Sequence, residues 1–224
     1  MRKPFSFAFW GLVMVLVGVN AVWGHQPRIV YRSQLTQANP MKINKPEVSQ
    51  AFYGELRGQA EYYTMSSPQG FDLYVQVLSP QIAGADKDFI VEVIRADQLV
   101  AELKGGDYGW KGFYEPFGGD DYWQGPEFEQ KGAQGDYSIK VYSPDNMGKY
   151  VLVVGRVESF PFGEAVKAIV AMPRLKIYFG KSVWVSFINY IGLFLLVLLV
   201  FLAGAFWGIR LLVKRLRSKR KITV

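Results

Sequence analysis

Between Ser182 and Ile209 the chain carries no charged residue, and Ile191 to Phe201 is almost pure Leu, Ile, Val and Phe. At 1.5 Å per residue, about 20 such residues cross the hydrocarbon core of a bilayer. The run therefore predicts a transmembrane helix over 182–209. Trp184, Tyr190 and Trp207 sit near its ends, and Arg210 opens a basic side. Amphipathic rings favour the headgroup level and basic residues favour the cytoplasm, so these four residues are the expected membrane anchors. Gly204 and Gly208 form a small-xxx-small pair that lets a second helix approach, the basis for an expected helix-mediated homo-oligomer.

The two ends of the chain agree on a topology. Arg2 and Lys3 precede an uncharged stretch from Pro4 to Gly24, most apolar over Phe5 to Val19. Small residues at Ala21 and Gly24 complete the pattern of a signal peptide over 1–24, cut after Gly24, or of an uncleaved signal anchor. The tail over 210–224 holds Arg210, Lys214, Arg215, Arg217, Lys219, Arg220 and Lys221 and no acid, which keeps it in the cytoplasm. Its basic residues act as a stop-transfer anchor or as a patch for anionic lipid. All 19 acids lie between Glu47 and Glu164, and residues 25–180 hold 16 basic residues against them, a net charge of −3. A folded part that is mildly acidic excludes nucleic acid as the partner. The expected location is the plasma (cytoplasmic) membrane, single-pass, with residues 25–159 outside or periplasmic. The chain has no cysteine, so no disulfide or thiolate chemistry is open to it, and it has no Asn-x-Ser/Thr acceptor. For an exported domain that is a bacterial rather than an animal pattern.

Within 25–159 the hydrophobic period changes to two. Phe71, Leu73, Val75 and Val77 alternate with Asp72, Tyr74 and Gln76 until Ser79-Pro80 stops the run. Similar strands are expected at 28–33, 50–56, 61–66, 89–95, 99–103, 137–142 and 149–157, separated by Gly, Pro, Asn and Asp clusters. Short strands with no helix between them predict a mainly β protein: an antiparallel β-sandwich of Greek-key or jelly-roll type. The turn from Ser143 to Gly148 is expected to join the last two strands as a hairpin. Tyr150-Val151-Leu152-Val153-Val154 is apolar on both faces and belongs in the centre of its sheet.

Phe71-Asp72-Leu73-Tyr74-Val75, then Gly135-Asp136-Tyr137-Ser138-Ile139-Lys140-Val141-Tyr142 and Gly148-Lys149-Tyr150-Val151-Leu152-Val153-Val154, resemble the sandwich of bacterial pre-peptidase C-terminal domains. The Gly-x-Tyr entering a strand is also similar to other jelly-roll and Golgi-dynamics-type ectodomains. The resemblance implies a sandwich and a binding or assembly accessory role, because such domains trail secreted hydrolases and no hydrolase signature occurs here. The overall layout is similar to that of bacterial type I membrane proteins.

After the sandwich, 160–181 reads as an interfacial juxtamembrane segment. A helix over Gly163 to Met172 is interrupted by Pro173, then Leu175, Ile177, Tyr178 and Phe179 interleave with Arg174, Lys176 and Lys181.

Three features carry possible chemistry. His25 is the only histidine, and cleavage after Gly24 would join its imidazole to a free α-amine, a pair that suits Cu(II). Histidine-brace proteins are similar in starting with His on a sandwich, but they add a second His that this chain lacks. The segment Gly105 to Gln130 interleaves Tyr108, Trp110, Phe113, Tyr114, Phe117, Tyr122, Trp123 and Phe128 with seven glycines. It reads as a long aromatic loop, either a ligand or partner surface centred on Tyr108, Trp110, Phe113, Tyr114, Tyr122 and Trp123 or a cap on the end of the sandwich. Asp107, Glu115, Asp120 and Asp121 in the same segment are oxygen ligands available to Ca²⁺. No nucleophile elbow, phosphate loop or triad is present.

The expected protein is thus non-catalytic and needs no cofactor. Its sandwich faces outward for recognition or assembly at the membrane surface, with the bilayer and a membrane or surface protein as partners. The alternatives are copper handling through His25 and a structural subunit of a membrane complex.

Overall fold

The computed structural model describes residues 25–220 apart from positions 32, 117, 160 and 189. The expected signal segment and the last residues of the tail lie outside the described residues. Eleven named strands follow: β1 Gln26–Ile29, β2 Met41–Ile43, β3 Gln50–Arg57, β4 Glu61–Ser67, β5 Phe71–Pro80, β6 Ile90–Arg95, β7 Gln98–Lys104, β8 Lys111–Glu115, β9 Asp120–Gly132, β10 Gly135–Tyr142 and β11 Met147–Val154. They form a six-stranded sheet ordered β1-β3-β11-β5-β9-β8 and a five-stranded sheet ordered β2-β4-β10-β6-β7. All pairings are antiparallel except β1 with β3 and β2 with β4. The mainly β sandwich expected from the alternating pattern is the fold.

The sheets meet over Phe52, Leu73, Val75, Val77, Tyr150, Leu152 and Val154 on one side and Tyr63, Met65, Val91, Val93, Tyr137, Ile139 and Val141 on the other. Helix α1, Phe162–Tyr178, lies on the opposite face of the six-stranded sheet. There Met172, Leu175 and Tyr178 pack with Ala51, Tyr53, Tyr74, Leu78, Tyr122, Val151 and Val153 in a second core. Because its sheet is covered on both faces, β11 is apolar and buried from Tyr150 to Val154 and sits centrally, as expected.

That double cover also corrects the expected hairpin. β10 pairs with β4 and β6, whereas β11 pairs with β3 and β5, so the turn between them carries the chain from one sheet to the other. β10 is fully buried only at alternate positions and fits the sheet with one bare face. β11 needs apolar cover on both sides, which the five-stranded sheet does not offer. At the corner Asn146 and Gly148 take φ of 55° and 111°, and Ser143 Oγ and Asp145 Oδ1 accept from the Met147 amide.

Two further expectations change. Helix α1 does not end at Met172 but runs through Pro173. An interior proline costs about 3 kcal/mol, and the turn after it is held from outside: Tyr178 donates its hydroxyl to the carbonyls of Gly54 at 2.7 Å and Tyr150 at 2.9 Å. Segment 105–130 is not a long loop but the β8–β9 hairpin at the edge of the six-stranded sheet. Beyond α1, Val183–Phe187 form a 3-10 turn and helix α2 spans Tyr190–Arg220, so the uncharged run contributes its first residues to the turn. The stretch Leu195–Lys214 is long and apolar enough to cross a membrane; no residue in it is fully buried, though Leu195 at its start packs partly against the second core. Trp184 in the turn and Trp207 on the helix are 79% and 69% exposed, and Arg210 lies 5.1 Å over the ring of Phe206. Tyr190 opens the helix.

Candidate functional site

At one edge of the sandwich the short strands β1 and β2 leave a half-enclosed cleft of about 440 Å³. Ile29, Val30, Met41, Val48 and Phe52 form its apolar lining, and Arg28, Lys42, Asn44, Lys45, Gln50 and Glu164 supply polar groups. The volume lies within the range typical of small-molecule sites. Sequence reading missed it because its residues come from four separated segments, and no spacing along the chain signals their convergence.

Hydrogen bonds set the walls. Arg28 Nη1 donates to Glu164 Oε2 at 2.7 Å and Nη2 to Gln26 Oε1 at 2.5 Å, while Gln26 Nε2 donates to the Ser159 carbonyl at 2.6 Å. This ties the start of β1 to the start of α1. Burial opposes ionisation of Glu164, but the hydrogen bonds and charges of Lys167 and Arg28 hold its carboxyl below the ordinary value. Opposite, Gln50 is buried and its Nε2 faces the carbonyls of Asn44 at 2.9 Å, Lys45 at 3.3 Å and Val48 at 3.4 Å. Lys45 is held at φ 54°, a left-handed conformation rare for lysine.

His25 lies immediately before β1 but does not line the cleft. Its Nδ1 is 2.5 Å from Ser49 Oγ, and burial lowers its pKa to about 4, so the ring is neutral at pH 7. A chelate through the α-amine and imidazole uses Nδ1, the atom Ser49 engages. Among the described residues no group of three or more His, Cys, Asp and Glu is placed to hold a metal ion. The acids considered for Ca²⁺ are dispersed: Asp107 and Asp121 are exposed, Glu115 Oε2 accepts the Gly118 amide at 2.6 Å, and both Asp120 oxygens accept from lysines.

The aromatic residues of 105–130 divide between the two faces of their sheet and do not form one surface. Trp110 and Phe128 pack on the inter-sheet core, with the Trp110 indole donating to the Gly105 carbonyl at 2.8 Å. A Cβ at Gly125 would meet the Trp110 ring at 2.5 Å, which is why a glycine stands there. Phe113 and Tyr122 join the second core, where Tyr122 is 3% exposed and its hydroxyl is 3.2 Å from that of Tyr53. Trp123 lies under the Lys87 ammonium at 3.5 Å, and Tyr108 packs edge-on against Trp110. Among the described aromatic residues of this segment, only Tyr108 and Tyr114 are exposed. Phe117 lies outside the described residues.

The joint between sandwich and stem is the other polar centre. Lys176, wholly buried on α1, donates to Asp120 Oδ2 at 2.8 Å and to the carbonyls of Gly118 and Gly119 at 2.6 and 3.2 Å. Lys181 takes Asp120 Oδ1 at 2.8 Å. The charged pair is thus saturated with hydrogen bonds, as a buried one must be.

No protein-family model and no curated protein matches the chain. Among solved structures it is similar to the pre-peptidase C-terminal domain of a collagenase from Bacillus anthracis, at 13% identity and a TM-score of 0.33, over 59% of this chain and 97% of that one. It is also similar to CorA, a surface-associated copper-binding protein of Methylomicrobium album BG8 (8% identity, TM-score 0.28, 52% of this chain and 98% of that one). A β-glucosidase from Paenibacillus barengoltzii matches at 11% identity and a TM-score of 0.29, over 58% of this chain and 13% of the enzyme.

Proposed function

We propose that this protein is a non-catalytic, membrane-anchored recognition or assembly module that holds its sandwich at the outer face of the membrane. The observation that carries the reading is the joint at Asp120. A flexible tether needs no buried ion pair, yet Lys176 and Lys181 lock the start of β9 to the end of α1, a few residues ahead of the apolar helix. A sandwich fixed to its anchor presents its surfaces at a set height and angle, which suits docking to other membrane-bound components.

The absence of cysteine makes the test clean. Single-cysteine variants Asp97→Cys, in the β6–β7 turn, and Ser218→Cys, near the end of α2, are labelled in intact cells with a membrane-impermeant maleimide. The expected result is labelling of position 97 from outside and of position 218 only after permeabilisation. The reverse pattern removes the outward reading. Native mass spectrometry of the wild type, gently extracted from its own membrane, is expected to show a complex of defined stoichiometry; a monomer alone at all protein concentrations counts against assembly.

A further inference from the structure

We propose that the cleft between β1 and β2 binds a small amphiphile bearing a single anionic head, with its apolar part against Ile29, Met41 and Val48 and its head held by Lys42 and Lys45. This rests on the recognition side of the function proposed above and names the ligand class for it.

Charge supports the assignment first. Residues 25–180 carry a net charge of −3, yet the cleft is lined by Arg28, Lys42 and Lys45 against one acid, Glu164. Glu164 is already answered by Arg28 at 2.7 Å and Lys167 at 2.8 Å, while no ion pair is found for Lys42 or Lys45 among the described residues. Glu47 and Glu158, adjacent in sequence to lining residues, do not line it. An acidic domain that gathers unneutralised ammonium groups at one concavity attracts an anion there; Lys42 also borders a second cleft, but that one carries Asp97 and Asp136.

Shape and polarity set the size and type of ligand. Beside the polar groups of Gln26, Asn44, Gln50 and Ser159 the lining carries Ile29, Met41, Val48 and Pro161, an apolar portion that a free inorganic anion has no use for and an alkyl group covers. About 440 Å³ accommodates a chain of roughly eight to ten carbons with its head group.

The rim is also built in advance. Lys45 is kept at φ 54° because the buried Gln50 amide gathers the Asn44, Lys45 and Val48 carbonyls and the Val48 amide closes on the Lys45 carbonyl at 2.9 Å. Non-glycine residues in this region persist only where surroundings over-determine them. Here the surroundings are dedicated to a loop whose position places a lysine at the mouth of a cleft. Preorganisation of this kind lowers the ordering cost of binding.

The full-length protein in phosphatidylcholine nanodiscs is titrated calorimetrically with octanoate, octanol and octylammonium. Octanoate is expected to bind saturably at least tenfold more tightly than the other two. Lys42→Gln with Lys45→Asn, the latter tolerant of left-handed backbone, is expected to weaken octanoate at least tenfold and leave octanol unchanged. Val48→Trp, which fills the cleft, should abolish saturable binding; should that variant not fold, the surface pair alone decides. Equal binding of all three probes, or octanoate binding unchanged in the lysine pair, overturns the proposal. Addition of phosphatidylglycerol to the nanodiscs separates sources: competition with octanoate assigns the head to a membrane lipid, and lack of it to a free acid. Because ligand binding is read on purified protein, its failure is distinct from failure of the labelling and complex tests above.

Discussion

Glu61 begins β4 with its carboxylate buried between the sheets, accepting the Tyr150 hydroxyl, which in turn lies 2.7 Å from that of Tyr63. Burial is the larger effect and pushes its pKa up to about 7, against the pull of the Tyr150 hydrogen bond and of Arg57. A carboxyl whose folded pKa exceeds its unfolded value stabilises most below the unfolded pKa, and that contribution is lost as pH rises through the folded one. Stability from Glu61 therefore falls between about pH 4.5 and 7. His25 acts oppositely: its depressed pKa makes stability fall as pH drops from 6.5 toward 4. The difference between wild type and Glu61→Gln isolates the first effect. Urea unfolding is expected to show wild type losing on the order of 2–3 kcal/mol relative to the variant from pH 4.5 to 8. A pH-independent difference refutes the assignment. Gly54 gives a second residue-scale prediction. It faces Tyr150 across the β3–β11 pair, and a Cβ there would meet the ring at 2.3 Å, so Gly54→Ala should cost about 1–3 kcal/mol in the same assay. A glycine inside an apolar strand hints in the sequence at a close neighbour; which ring covers it is a matter of register.

Helix α1 shows how an element acquires a role that its own pattern hides. Its buried lysine looked in sequence like one of several basic residues at a membrane interface. Removing one partner of a buried pair costs about 3–5 kcal/mol, whereas exposed pairs contribute about 0–1 kcal/mol. Lys176→Met is therefore expected to lower the unfolding free energy several-fold more than Lys131→Met, which breaks the exposed pair with Asp72. Equal effects mean that the joint is not a clamp. The β8–β9 hairpin makes a parallel case. Trp110→Ala should cost about 3 kcal/mol because the indole fills core, and Tyr114→Ala, 53% exposed, should stay within about 0.5 kcal/mol. The hairpin's period was obscured because both of its faces carry rings, packed against different cores, and Gly125 interrupts β9 where the Trp110 ring passes.

For the whole molecule the deciding segment is α2. A lysine near the middle of a span costs about 2.5–3.5 kcal/mol in insertion experiments, so Leu199→Lys with Leu202→Lys should release the protein from alkali-washed membranes; retention by the washed pellet would sink the spanning role. That prediction needs only the sequence, because an apolar run of this length must find apolar surroundings whatever the remainder does. The β content, the central place of Tyr150 to Val154 and most strand positions were also legible from it, since alternation and double-faced apolarity are local statements about burial. Three things were decided by tertiary structure alone. The corner after Tyr142 separates β10 from β11 because only one sheet is covered twice. Helix α1 survives Pro173 because Tyr178 is held by backbone carbonyls of two strands. The cleft gathers Arg28, Lys42, Lys45 and Glu164 because β1 and β2 join different sheets at one edge. Sequence records what each segment must bury; which surface buries it, and which polar groups are thereby brought together, is determined by contacts between residues far apart in the chain.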